Sequence, residues 1–329
     1  SDGISLELCV SALEAGKHVV TANKALMAIH GSTLAQKAEK NNVELRYEAA
    51  VAGGIPVIKA IREGLSGNTI SGVFGILNGT CNYILTEMHS AAAAGQNQNF
   101  DDVLKTAQKL GYAEADPSTD IDGIDAAHKL ALLSSLSFGT VVDFDSISVE
   151  GIRYVSSVDI EYAVELGYVI KLLAVACKTS TGIEQRVQPS MVSVKTPIAH
   201  VNGVSNAVVV HSDFCGETIY QGPGAGEGAT ASAVASDIVD IARGHRIPTF
   251  AVPAKNLEPI ETNSALATSA AYYIRLMVLD KPGVIADVAA RLRDHNVSME
   301  SMLQRSRSPG DTVPVVITIY KDKKFDFII

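Results

Sequence analysis

The stretch KHVVTANK at Lys17–Lys24, then STLAQKAEKN at Ser32–Asn41 and VELRYEAAVAGGIP at Val43–Pro56, decides the fold. His18, Val19 and Val20 form a short apolar strand that ends in polar residues. The spacing predicts a helix over Ser32–Asn41 and a second strand over Val43–Tyr47. Upstream, SLELCVSALEAG carries apolar residues at helical spacing, and Gly16 is a natural stop. Helix and strand alternating at these lengths predict a parallel sheet. In such sheets ligands bind beyond the carboxyl ends of the strands. Thr21, Ala22, Asn23 and Lys24 sit at one such end, and Glu48–Val51 at the next.

Working outward, a chain of 329 residues predicts about two or three domains. Apolar residues at 47% against 19% charged describe a globular chain that buries a core. The net charge of −9 argues against nucleic acid as a partner, because that binding needs a basic surface to release phosphate counterions. Cys9, Cys81, Cys177 and Cys215 are far apart and form no CxxC, which excludes a disulfide scaffold and a zinc ribbon. The uncharged run Gly64–Thr86 is broken by glycines and asparagines, so it is no membrane span. With no basic start to SDGISLELC, the expectation is a soluble cytoplasmic protein.

Beyond Pro56 the chain mixes helices and strands. Ile70–Leu77 reads as a strand running into Asn78-Gly79-Thr80 and a helix, CNYILTEMHSAAAA. A helix over Phe100–Leu110 stops at Gly111, an acidic loop covers Tyr112–Asp122, and a helix covers Gly123–Phe138. YVIKLLAVACKT and GIEQRVQPSMVSV read as a strand pair, with further strands at Asn206–His211 and Glu217–Gln221. Gly222–Gly226 is a loop opening a helix over Ala229–Arg243. Residues 246–270, with three prolines, read as a linker. Residues 272–320 then show strand, helix, strand, strand, a separate small unit. The parts expected are thus 1–55 with 222–245, then 56–221, and a separate unit over 271–329.

The densest chemical signal is GYAEADPSTDIDGIDAAHK, Gly111–Lys129. A calcium loop centred on Gly123 would need acids at Ser118 and Lys129, so that reading fails. A solvated loop with a helix cap stays open. Asp125 and Lys129, four apart, share a face of an otherwise apolar helix, and a buried charged pair must be satisfied. Lys24, just past a strand, points at the crevice or is a surface lysine. Glu48 precedes a glycine-rich bend whose carbonyls suit a small cation, or it belongs to an ordinary turn. Asn78-Gly79-Thr80 offers backbone N–H groups to an anion, or simply caps its helix. Gly222–Gly226 is glycine-rich but is not GxGxxG. Cys81 at a helix N-terminus is a nucleophile or a buried structural thiol.

In VVTANKALMA (19–28), YEAAVAGGIPVI (47–58), GILNGTCNYIL (75–85), LGYAEADPSTDIDGIDAAHK (110–129) and GPGAGEGATASAVASDIVD (222–240), taken in this order, the chain resembles homoserine dehydrogenase. LDKPGVIADVAARL resembles the start of an ACT domain. The resemblance implies a partial Rossmann-like parallel sheet, a mixed α+β catalytic domain and a ferredoxin-like ACT unit. It implies Lys129 as proton donor, Asp125 as the acid that positions the substrate hydroxyl, and Lys24 as a second lysine beside the nicotinamide. Glu114, with Asp120 and Tyr112, would hold the substrate ammonium, and Asn78, Gly79 and Thr80 its carboxylate. Thr21, Ala22, Asn23, Lys24, Gly111, Gly226 and Glu227 would line an NAD or NADP site. Glu48, Val51, Gly53 and Ile55 match a monovalent cation site, for Na+ or K+, built mostly of carbonyls. Asp280, Gly283 and Val284 would take threonine as effector.

The implied reaction is reduction of L-aspartate 4-semialdehyde to L-homoserine by NAD(P)H, in amino-acid biosynthesis, by a homodimer or homotetramer. A cationic lysine suits it, since the carbonyl oxygen gains negative charge as hydride arrives. The family's glycine-rich strand–turn–helix opening is absent, so the sequence is expected to begin inside the nucleotide-binding domain. The tail KDKKFDFII is too short for the ACT unit's last helix and strand. Cys81 stands where the family usually has Thr or Ser, and Ala229 where it often has Pro. Two other readings stay open: an acylating semialdehyde dehydrogenase using Cys81, and a non-catalytic amino-acid sensor.

Overall fold

The computed structural model describes residues 3–260, 271–305, 308, 310–320 and 327–328. It opens with α1 (Ile4–Glu14), β1 (Val19–Val20), α2 (Lys24–Lys40) and β2 (Leu45–Arg46). The two strands pair in parallel, Val19 opposite Leu45. The helix between them starts at Lys24, eight residues before the Ser32 expected from the sequence. Asn23 caps it: the side-chain oxygen accepts the N–H of Leu26 at 3.0 Å. Gly31, a weak helix former, is tolerated because the Phe250 ring packs over it, so that a Cβ there would lie 3.0 Å from Phe250 Cζ.

A 3-10 turn at Glu48–Ala50 and α3 (Val57–Lys59), which continues as a π-helical turn over Ala60–Gly64, lead into the catalytic part. There follow β3 (Ile70–Ile76), α4 (Gly79–Ala93), α5 (Phe100–Lys109), α6 (Ser118–Ile121) and α7 (Ile124–Phe138). Then come β4 (Ser148–Val149), α8 (Ser157–Leu166), β5 (Tyr168–Thr179), β6 (Gly182–Ser193), β7 (Ser205–Ser212), β8 (Gly216–Pro223) and α9 (Glu227–Ala242). The small unit is β9 (Tyr272–Leu279), α10 (Val284–Asp294), β10 (Ser298–Leu303) and β11 (Thr312–Tyr320); β12 (Phe327–Ile328) ends the described chain.

Other sequence expectations also need correction. The acidic stretch is not all loop, because Ser118–Ile121 is a helical turn. Gly222 and Pro223 belong to β8 and α9 begins at Glu227, so the glycine loop shrinks to Gly224–Gly226. α8 had no counterpart in the sequence reading. It is fixed by a capping box in which Ser156 and Asp159 satisfy each other's backbone N–H.

The large sheet runs in the order β12, β6, β5, β3, β7, β8, antiparallel throughout, with β4 added parallel to β6. β5 and β6 form the expected pair over their whole length, joined by a tight turn after Thr179. α4 and α7 cover one face of this sheet through Ile84, Leu85 and Met88 and through Leu130 and Leu133, all buried. α7 is bounded by Gly123 and Gly139, both left-handed, which set its start and stop.

Residues 246–260 do not cross solvent as a linker. Phe250 is fully buried against Tyr47, ring centroids 5.4 Å apart, and Thr249 donates its hydroxyl to the Leu45 carbonyl. Burying that phenyl ring contributes about 1.5–3 kcal/mol, more than a solvated linker offers. The rest of the expected linker, 261–270, lies outside the described residues.

The small unit is a three-stranded antiparallel sheet, β10–β11–β9, with α10 against β10. Arg305 ties it to α8: its guanidinium lies 4.3 Å over the Tyr162 ring and donates to Glu161 and Glu165. β12 adds to the edge of the large sheet beside Met191 and Val192, not to the small one. The other tail residues, 321–326 and 329, lie outside the described residues. No helix among the described residues is long and apolar enough to cross a membrane.

Candidate active site

A cleft of about 600 Å³ lies where the small parallel sheet, the N-termini of α4 and α7 and the Gly224–Gly226 loop converge. Its wall includes Ala22, Lys24, Gly53, Asn78, Gly79, Thr80, Gly111, Tyr112, Glu114, Asp120, Asp125, Lys129 and Gly226. Elements far apart in sequence thus bring most of the expected site residues together.

Asp125 is the centre. It sits in the first turn of α7, where the helix dipole favours an acid, and is 5% exposed. Lys129, one turn on, donates from Nζ to Asp125 Oδ2 at 2.7 Å and to the Leu77 carbonyl at 2.7 Å. Lys24 Nζ lies 3.1 Å from Asp125 Oδ1. Asn78 Nδ2 donates to Asp125 Oδ2 at 2.9 Å and to Asp120 Oδ1 at 2.8 Å. Burial alone would raise the Asp125 pKa. The charges of Lys129 and Lys24, with the hydrogen bonds of Lys129 and Asn78, outweigh it and bring the carboxyl down to about 2. The cleft therefore holds a carboxylate shared by two ammonium groups at neutral pH.

The substrate side is built on α4. Asn78 caps the helix by accepting the Cys81 N–H at 2.8 Å, and the N–H groups of Gly79 and Thr80 precede that amide. Thr80 donates its hydroxyl to the Tyr112 carbonyl at 2.6 Å, which pins the 111–114 turn to the helix. Asp120 receives Asn78, while Glu114 stays exposed on the rim.

Cys81 is fully buried and donates its thiol to the Asp120 carbonyl. Burial first, then the charges of Asp120, Asp125 and Asp122, push its pKa well above the usual thiol value, with Lys129 only partly opposing. A thiol held protonated is no nucleophile, which removes the basis of the acylating alternative.

Several expected residues lie off the cleft. Thr21 accepts the N–H of Asn23, Asn23 is used as a cap, and Glu227 is exposed in the first turn of α9 without lining the wall. Glu48 is buried, but its carboxylate caps α3 by accepting the N–H groups of Ile58 and Lys59, both at 2.9 Å. Burial raises its carboxyl to about 7. Val51 and Ile55 are buried behind the cleft, and only Gly53 of that set reaches the wall. Asp280 spends its side chain on the Ser308 N–H, and Gly283 and Val284 start α10.

The sequence reading missed Val204, Asn206, Gly224 and Thr230, which also line the cleft. Val204 and Asn206 carry no motif; Gly224 and Thr230 lie in GPGAGEGATASAVASDIVD without a role assigned to them there, and turn and strand geometry brings all four in. Asn206 is 1% exposed and its Oδ1 has no hydrogen-bond partner among the described residues. Gly224 lies so close that a Cβ there would stand 2.1 Å from Asn206 Cγ. Gly53 in turn meets Gly224, whose carbonyl oxygen would stand 2.6 Å from a Cβ there. A wall of glycine and alanine with an unsatisfied buried amide behind it fits a flat carboxamide-bearing ring such as nicotinamide.

Comparison with known proteins places this geometry in context. The homoserine dehydrogenase family profile matches residues 56–239, the NAD-binding domain of that family matches 3–48, and the ACT domain matches 272–322. The homoserine dehydrogenase of Neisseria gonorrhoeae is 48% identical over 326 residues, covering 96% of this chain and 73% of that protein. That of Pseudomonas aeruginosa is 47% identical, again over 96% of this chain and 73% of its own length. The crystal structure of a homoserine dehydrogenase from Thiobacillus denitrificans superposes with a TM-score of 0.90 at 44% identity, covering 97% of this chain and 73% of that one. A hyperthermophilic archaeal homoserine dehydrogenase in complex with NADPH reaches a TM-score of 0.64 at 33% identity, over 74% of this chain and 69% of its own.

Proposed function

Because the chain belongs to the homoserine dehydrogenase family, we propose that the cleft around Asp125 is where L-aspartate 4-semialdehyde is reduced to L-homoserine. The observation that carries this is the Asp125 carboxylate shared between Lys129 and Lys24. The NAD-binding domain accepts NAD or NADP, and the bound cofactor supplies the hydride. Lys129 faces the oxygen that becomes an alkoxide, stabilises it and delivers the proton. Lys24 adds a second positive charge from the cofactor side. Asp125 holds both ammonium groups at fixed distance and accepts from the product hydroxyl. The Gly79 and Thr80 N–H groups receive the substrate carboxylate, with Asn78 ordering that turn. Glu114, Asp120 and Tyr112 hold the substrate ammonium. Ala22, Gly111 and Gly226 leave room for the nicotinamide.

The test is a Lys129→Ala variant of the full-length protein. Homoserine oxidation is lost, while the Kd for NADPH, followed by quenching of its fluorescence, stays near that of the wild type. A variant that keeps normal kcat overturns the assignment.

A Na+ or K+ ion on the carbonyls of Glu48, Val51, Gly53 and Ile55 would brace the bend against the Gly224 loop. The support is that the Glu48 side chain is committed elsewhere while Gly53 and Gly224 nearly touch. The ACT unit binds an amino-acid effector, and threonine at the Asp280–Val284 turn is the reading that the left-handed Gly283 supports, because it opens backbone N–H groups at the start of α10. A cytoplasmic homodimer or homotetramer is the expected assembly. Light scattering of the purified protein tests the assembly, and calorimetry with threonine tests the effector.

A further inference from the structure

Lys171 lies in the middle of β5 with no exposure, and its neighbours along the strand from Val169 to Cys177 are all buried and apolar. Its ammonium meets three oxygens, all uncharged: the Val201 carbonyl at 2.6 Å, Asn82 Oδ1 at 3.0 Å and Asn202 Oδ1 at 3.2 Å. Burial lowers its pKa to about 8. An apolar side chain of similar size would fill this site at smaller cost, since no carboxylate offsets the desolvation among those three partners. The charge is retained for what it holds.

What it holds is the turn from Val201 to Ser205. Asn82 Nδ2 donates to the carbonyls of Val201 and Ser205, and the Gly203 N–H donates to Thr86 Oγ1. Asn78, Asn82 and Thr86 are spaced by four and so form one polar stripe along a helix whose other buried residues include Ile84, Leu85 and Met88. The top of the stripe, Asn78, serves the site. The two lower residues, with Lys171 beneath them, serve the turn. Val204 and Asn206 line the cleft, and the Val204 carbonyl is pressed onto Gly79, where a Cβ would come within 2.8 Å of it. The turn is the outer wall of the Gly79–Thr80 cradle.

We infer that Lys171 is a positioning residue for substrate binding: its ammonium fixes the 201–205 turn, and through Val204 the place of Gly79. This inference rests on the reading of the cleft as a homoserine site. It weighs the two ligands unequally, because the turn presses on Gly79 of the amino-acid cradle through Val204 and reaches the Gly224–Gly226 loop only through the pairing of Ser205 with Pro223. The stripe also explains why a lysine, long enough to cross from the sheet to the far side of the turn, stands where a leucine would otherwise pack.

Steady-state kinetics of full-length Lys171→Met, with homoserine and NADP+ each varied, tests it. The KM for homoserine rises about tenfold, equivalent to about 1.4 kcal/mol, while kcat and the KM for NADP+ stay within about twofold. Thr86→Val removes the acceptor of the Gly203 N–H, along with the hydroxyl's own bond to the Asn82 carbonyl within the helix, and shifts the homoserine KM in the same direction, by about threefold. If Lys171→Met does not fold, Thr86→Val decides alone. An unchanged homoserine KM in the folded variants overturns the inference, as does an equal loss in both KM values and kcat, which would mark a general loosening. A wild type that does not oxidise homoserine overturns the functional reading and the inference together; a wild type that does, with no shift in the variants, overturns the inference only.

Discussion

Replacing Asp125 by Asn is the sharpest perturbation of the cleft. The change is nearly isosteric and removes one charge. Asp125 oxygens now accept from Lys129, Lys24 and Asn78. The amide keeps one acceptor and turns a donor toward cations that are themselves donors. The drop of its pKa from 3.8 to about 2, at about 1.4 kcal/mol per unit, means the charged form stabilises the fold by about 2 kcal/mol at pH 7. The sign follows from the depressed pKa: the contribution is complete above the unfolded value and disappears as pH falls from 3.8 through about 2. Asp125→Asn therefore loses about 2 kcal/mol at pH 7 in urea denaturation, and its gap to the wild type narrows as the pH is taken down toward 3. The kcat falls by about 100-fold or more, because the two ammonium groups lose the anchor that fixes them at the reacting oxygen. Equal stability at pH 7, with kcat within about twofold, would refute the argument that this carboxylate organises the site.

Phe250→Ala costs about 3–5 kcal/mol by chemical denaturation, because the ring fills a sealed position between Gly31 and Tyr47; a loss under about 1 kcal/mol would return residues 246–260 to the status of a linker. Iodoacetamide labels exposed Cys215 first in the folded protein, and mass spectrometry finds Cys81 unlabelled while activity is kept. Glu48, whose carboxyl is raised from 4.5 to about 7, confers stability below pH 4.5 that is lost as pH rises through about 7. Glu48→Gln flattens that part of the stability–pH curve, and a curve of unchanged slope would show that the proton is held elsewhere.

The site was more legible in the sequence than the frame around it. Asp125 and Lys129 stand four apart on an apolar helix, and that spacing alone forces a shared face. Lys24 could be placed at the end of a strand because β1 is short and abruptly polar. The start of the helix was misread: it was expected at Ser32, whereas α2 runs from Lys24 straight through Gly31, over which Phe250, more than two hundred residues away, packs. The same holds for the glycine loop. Asn206 has no pattern to mark it, and its place in the wall follows from the pairing of β7 with β8 opposite Gly222. Thr21, Asn23 and Glu227 were expected at the cofactor from the resemblance, and they do not line the cleft wall. Glu48 shows that a carboxylate beside a glycine bend is as readily a cap for the next helix as part of an ion site.

Cys81 has a consequence for survival under oxidants. Peroxide attacks the anionic form of sulfur, and this atom is kept neutral first by its burial and then by its acidic neighbours. The protein thus carries a sulfur beside Asp120 that redox stress does not reach, and the exposed thiol at the hairpin tip, Cys215, takes the damage first, on the β7–β8 turn away from the cleft.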